Sequence, residues 1–113
     1  MSQRSILITG CSSGIGLACA RGMKARGWRV FATARKDEDL NRLAEEGFEA
    51  LRLDYVFPDS VAACAAEVSR LAGGRLDALF NNGAYGQPGA VEDLRREVLE
   101  AQFAANVFGW HQL

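Results

Sequence analysis

Ser5-Ile6-Leu7-Ile8-Thr9-Gly10-Cys11-Ser12-Ser13-Gly14-Ile15-Gly16 is the stretch whose reading decides the fold. An apolar run of strand length passes into three glycines spaced G-x-x-x-G-x-G, and the second and third fall in the first turn of a helix. Glycine at these points lets the backbone turn sharply and approach a ligand closely. The free N–H groups and positive dipole end of the following helix favour a diphosphate. In that helix Ile15, Ala18, Cys19, Gly22 and Met23 fall at i, i+3, i+4, i+7 and i+8, which predicts the face laid on a sheet. A nucleoside-triphosphate loop is excluded: five residues after Gly10 stands Ile15 rather than glycine, and no lysine follows. Turn glycines alone would give the same local pattern, so the rest of the chain has to decide.

Working outward, strand patterns alternate with helix patterns as β-α-β-α-β-α-β-α. Gly27 closes the first helix, and Trp28 to Thr33 reads as a second strand. Asp37 is placed to cap a short helix with Leu40, Leu43 and Ala44 on one face and Gly47 as its stop. The third strand lies near Ala50 to Leu53, and Arg52 between two leucines suits a sheet edge, whereas Ile6-Leu7-Ile8 suits burial on both faces. Pro58-Asp59 introduces a third helix with Val61, Ala65, Val68 and Ala72 inward, ended by Gly73-Gly74. Leu76 to Phe80 is the fourth strand, and Gly83, Gly86, Pro88 and Gly89 belong to a long loop beyond it. Right-handed crossovers then predict a Rossmann-type three-layer α/β/α fold with parallel sheet order 3-2-1-4, ending before a fifth strand. The glycine turn sits at the switch point between strands one and four.

At 113 residues the chain is one unit, a single dinucleotide-binding domain over 1–113; 49% hydrophobic and 24% charged residues are ordinary for a globular protein. A net charge of −1 gives no electrostatic reason to expect nucleic acid or an anionic membrane as partner. Met1-Ser2-Gln3-Arg4 leads straight into a short apolar run, too short for a signal core or a membrane span, so a cytoplasmic location is expected. Cys11, Cys19 and Cys64 are odd in number and lack C-x-x-C spacing, which argues against a disulfide framework and against a metal site. Cys19 and Cys64 read as small core residues. Cys11 lies in the phosphate turn, where the helix end could lower its pKa.

Three further segments sit in the same order as in the short-chain dehydrogenase/reductase family, which the chain resembles over essentially its whole length. TGCSSGIG is similar to that family's TGxxxGxG, and Leu53-Asp54-Tyr55 to its acidic position after the third strand. Asn81-Asn82-Gly83-Ala84 resembles NNAG with the last two residues exchanged, and Asn106-Val107-Phe108-Gly109 resembles NxxG. The resemblance implies that Gly10, Ser12, Ser13, Gly14, Ile15 and Gly16 surround a pyrophosphate. Asp54, Tyr55, Asn82 and Gly83 would line the adenosine side, with the Asp54 carboxylate on the adenine amino group. Read as residues alone, Asp54 and Asn81-Asn82-Gly83 are also ordinary turn residues.

In such sites an acid at the end of the second strand binds the free ribose 2′-hydroxyl, and an arginine accepts a 2′-phosphate. Here Ala34 stands where the acid would be and Arg35 follows, so NADP(H) is expected in preference to NAD(H). The other reading of Arg35 is a solvated partner for Asp37, Glu38 and Asp39. Asn106 is the one candidate for the chemical step, since the matching asparagine in relatives holds a relay water. The family's catalytic serine and its Tyr-x-x-x-Lys have no counterpart: Tyr55 is followed four residues later by Asp59, and Tyr85 by Gly89. His111 has no orienting partner that the sequence identifies. The family's fourth helix contributes to subunit contacts, and Phe103, Phe108 and Trp110 supply aromatic area for a homo-oligomer or for core packing alike. The function expected is NADP-dependent transfer of hydride between nicotinamide and a carbonyl or alcohol substrate, of which this chain is the cofactor-binding part. A non-catalytic dinucleotide module and a structural subunit completed by another chain are the alternatives.

Overall fold

The computed structural model describes residues 3–113; Met1 and Ser2 of the proposed lead-in lie outside the described residues. Four parallel strands form one sheet in the order β3-β2-β1-β4: β1 Ser5–Ile8, β2 Arg29–Ala34, β3 Glu49–Arg52 and β4 Ala78–Phe80. Helices α1 Gly14–Ala25, α2 Asp37–Glu45 and α3 Pro58–Leu71 are the crossovers. A 3₁₀ turn at Val91–Asp93 precedes α4 Arg96–Phe103, which passes through a widened π turn at Ala104–Phe108 into α5 Gly109–Gln112.

The two-residue period of the strands sorts the core into two halves. Ile6, Ile8, Val30, Ala32 and Ala34 point to one side and pack under α1 and α2 with Ala20, Leu43 and Phe48. Leu7 and Phe31 point to the other, where Val61, Cys64 and Val68 of α3 cover them and Leu113 joins from just beyond α5. The predicted three layers and strand order are therefore present. β3 lies at an edge, as the polar Arg52 suggests.

Boundaries shift by one or two residues. β2 gains Ala34 and loses Trp28; β3 starts at Glu49 and ends before Leu53. β4 begins two residues late because Asp77 bonds to the flank of β1 instead: its carboxylate accepts the Ser5 N–H at 2.8 Å. That bond holds the Asp77 carboxyl below its usual range. Asp37 is the first residue of α2 rather than its cap, and its carboxylate pairs with Arg52. Ala44 faces solvent.

The larger correction concerns α1. Ile15 is 72% exposed and Ala18 is exposed, while Gly16 and Ala20 are buried and Leu17, Cys19 and Met23 pack beside them. The helix is turned from the face its apolar residues predict because Gly16 is pressed against the Gly10 carbonyl. A Cβ on Gly16 would overlap that oxygen and lie 2.7 Å from Asn82 Nδ2. Backbone approach at the glycine turn sets the helix rotation, and the apolar stripe follows it. Ile15 is left beside the turn.

Candidate active site

The carboxyl ends of all four strands open onto one cleft of about 550 Å³. Gly10, Ser12 and Ser13 line it from β1, Arg35 from β2, Asp54 and Tyr55 from β3, and Asn82 and Gly83 from β4. Ala105 of the π turn reaches its rim. The predicted residues from four separate loops are thus brought together. Gly14 and Ile15 stand at its border in the first turn of α1, and Gly16 lies beneath.

Thr9 organises the floor, and its role was not read from the sequence. Its hydroxyl is fully buried and accepts the N–H groups of Asn82 and Gly83, each at 2.9 Å. The Asn82 side chain answers by donating its amide to the Thr9 carbonyl at 3.2 Å. β1 and β4 are locked together at the point where both turn into the cleft. Thr33, also buried, fixes the glycine turn from β2: its hydroxyl accepts the Gly10 N–H and its carbonyl accepts the Cys11 N–H at 2.9 Å. Two polar residues at the ends of otherwise apolar strands are the signal that could have revealed this.

Cys11 points away from any such chemistry. Its side chain is fully buried, its thiol lies 3.2 Å from the Ile8 carbonyl as donor, and burial pushes its pKa up to about 11. The lowered pKa that its place in the turn suggested is overturned, because the Cys11 side chain faces the core while the amides face out. Cys64 is likewise buried, with its pKa at about 11 from desolvation.

The acidic run after β2 leaves Arg35 alone. Asp37 pairs with Arg52 and Asp39 with Arg42, and among the described residues no ion pair includes Arg35. Arg52 also donates to the Arg35 carbonyl at 2.6 Å, pinning the backbone that presents the free guanidinium. Opposite, one Asp54 oxygen accepts the Val56 N–H at 3.2 Å in an Asx turn, so the turn reading holds for half of the carboxylate. Its second oxygen makes no hydrogen bond among the described residues.

Asn106 lies in the π turn and clasps the Tyr85 peptide on both sides. Its Nδ2 donates to the Tyr85 carbonyl at 2.6 Å and its Oδ1 accepts the Tyr85 N–H at 3.2 Å. The side chain is thus engaged in holding the loop after β4. His111 is exposed and has no hydrogen-bond partner among the described residues. Phe103 and Phe108 are about half exposed with their rings 6.3 Å apart, whereas Trp110 turns inward.

A dinucleotide fits this arrangement on the structure's own terms. Ser13, the residue before α1, makes no side-chain cap bond, so the first-turn amides have no side-chain partner. Gly14 has φ +61° and a Cβ placed on it would meet nothing within 4 Å, which leaves open space over the turn. Among the described residues no group of His, Cys, Asp and Glu could hold a metal ion, and no helix is long and apolar enough to cross a membrane.

The fold and the glycine turn at its switch point define a dinucleotide-binding α/β protein. A family model for short chain dehydrogenases matches residues 4–113, and the chain belongs to that family. The oxidoreductase YbbO of Escherichia coli (strain K12), named as uncharacterized, is 44% identical over 111 residues, covering 98% of this chain and 41% of that protein. A short-chain dehydrogenase from Streptomyces avermitilis superimposes with a TM-score of 0.91 at 36% identity, over 99% of this chain and 42% of that one. A metagenomic short-chain oxidoreductase solved in complex with NADP gives 0.84 at 33% identity, over 100% of this chain and 54% of its own. The chain spans about two fifths of the length of the curated relatives it matches.

Proposed function

We propose that this chain is the cofactor-binding part of an oxidoreductase that uses NADP(H) in preference to NAD(H). The nicotinamide, when bound, supplies the hydride exchanged with a carbonyl or alcohol carbon. The chain's residues bind and orient. The uncapped first turn of α1 meets the pyrophosphate, the open face over Gly14 admits it, and Asp54 offers its free oxygen to the adenine amino group. Asn106 holds the Tyr85 loop that borders the reacting end.

The observation that carries the cofactor preference is Arg35, left unpaired beside neutral Ala34 while Asp39 pairs with Arg42 and Asp37 with Arg52. A charge-assisted bond to a 2′-phosphate is worth about 1.5–3 kcal/mol, or about one to two decades in affinity. Calorimetry on the full-length protein with NADPH and NADH tests it. NADPH should bind about ten- to a hundredfold more tightly, and Arg35→Asp should reverse the order. Equal affinities in the unmutated protein would refute the preference. The half-exposed Phe103 and Phe108 support association of copies of the chain along the end of α4 and the π turn, which light scattering tests directly.

A further inference from the structure

Tyr55 lines the cleft, yet its hydroxyl turns inward to two oxygens, Thr9 Oγ1 at 2.7 Å and Asn81 Oδ1 at 2.6 Å. Counting protons fixes the direction of each bond. Thr9 Oγ1 has two lone pairs, and the Asn82 and Gly83 amides occupy both. Its own proton therefore has to be given away. Tyr55 Oη at 2.7 Å is a far better acceptor than the Phe80 carbonyl at 3.5 Å. Asn81 Oδ1 can only accept, so the Tyr55 proton goes there.

The chain continues. Asn81 Nδ2 donates a long bond to the Trp110 carbonyl at 3.5 Å, and Trp110 Nε1 donates to the Gly83 carbonyl at 2.6 Å. The circuit closes on the residue where it began, with both the N–H and the C=O of Gly83 held. Two glycines make room for the ring at its centre. A Cβ on Gly109 would lie 2.5 Å from Tyr55 Cβ, and one on Gly83 would lie 3.0 Å from Tyr55 Cε2.

We propose that Tyr55 and Trp110 are positioning residues that hold the Asn82–Gly83 backbone as one wall of the cofactor cleft and tie it to the helical segment carrying Asn106. Neither side chain needs to touch the dinucleotide. Tyr55 sets the proton of Thr9, which receives the two wall amides, and Trp110 fixes the carbonyl on the other side. The inference rests on reading the cleft as a dinucleotide site.

Tyr55→Phe removes only the hydroxyl and keeps the ring against Gly109. In the full-length protein it should weaken NADPH binding about tenfold, equivalent to about 1.4 kcal/mol. It should also speed amide hydrogen exchange at Asn82 and Gly83 in the cofactor-free protein. A purely structural role would lower the melting temperature and leave affinity, measured well below melting, within twofold of the parent. That result, with unchanged exchange, overturns the inference while the cofactor reading stands. A parent that binds neither NADPH nor NADH overturns both. Should Tyr55→Phe not fold, Trp110→Phe should give the same loss of affinity and the same faster exchange at Asn82 and Gly83, and the same result refutes it.

Discussion

Replacing Gly16 by alanine adds one methyl group at the closest backbone approach in the site. The new carbon would overlap the Gly10 carbonyl oxygen and stand 2.8 Å from its carbon and 2.7 Å from Asn82 Nδ2. None of these is the far end of a flexible chain: two are backbone, and the third is held by the Thr9 carbonyl at 3.2 Å. Relief requires α1 to move off the end of β1 by about the excess of a carbon contact, near 1 Å. Overpacking of this kind costs about 1–3 kcal/mol, and loosening the Asn82 bond adds about 0.5–1.5 kcal/mol. The same shift carries the first-turn amides away from their phosphate position. Gly14→Ala is the comparison for stability: in the cofactor-free protein its methyl group meets nothing and only the φ of +61° opposes it, at about 1–2 kcal/mol, although it enters the space read as the pyrophosphate's and should weaken binding too. Urea unfolding and NADPH calorimetry on both variants separate the effects. Gly16→Ala should lose roughly 2–4 kcal/mol of stability and all measurable binding. A Gly16→Ala protein with parental stability and affinity would show that the helix does not dock on Gly10 as described.

Asn106→Ala frees the Tyr85 peptide, so Tyr85 amide exchange should rise and kcat fall several-fold with the NADPH dissociation constant little changed; a full-rate variant would leave Asn106 a loop anchor without catalytic consequence. Thr9→Val leaves the Asn82 and Gly83 amides without an acceptor, at about 1–3 kcal/mol for each one buried, which denaturant midpoints would report. Stability should fall on the alkaline side. Cys11 and Cys64 keep their protons to about pH 11 when folded, against an ordinary value near 9, so above pH 9 the unfolded state has lost protons that the native state retains. The loss runs from pH 9 to 11 and approaches roughly 2–3 kcal/mol per thiol, visible as a falling melting temperature. Below pH 9 the same thiols should resist alkylation in the native protein.

The layers, the strand order and the gathering of four loops were legible because they follow from pattern and from chain order. Ile6-Leu7-Ile8 must be covered on both faces, and right-handed crossovers then leave one arrangement. What the sequence hid is how the pieces touch. Apolar periodicity placed Ile15 and Ala18 of α1 against the sheet, but a single glycine contact outweighs that stripe and turns the helix. The tie of Arg52 to Asp37 joins residues 15 apart in the chain, and it leaves Arg35 unpaired. The Thr9–Tyr55–Asn81 connection spans still greater separations, and nothing in local spacing announces it.

The widened turn at Ala104–Phe108 gives the last helical segment a different phase from the one before it. A π turn holds one residue more than a regular turn, which delays everything after it by about 100° around the axis. With the same sequence wound as an uninterrupted α-helix, Phe108 would arrive where Gly109 now faces Tyr55. The ring leaves no room even for a Cβ at that position. The extra residue and the glycine are therefore a matched pair: deleting one residue from the turn regularises the helix and still delivers glycine to the tyrosine, whereas straightening the turn alone would drive a side chain into Tyr55. Length and winding in this stretch are thus coupled, while its side chains divide, with Ala105 buried and Val107 and Phe108 exposed.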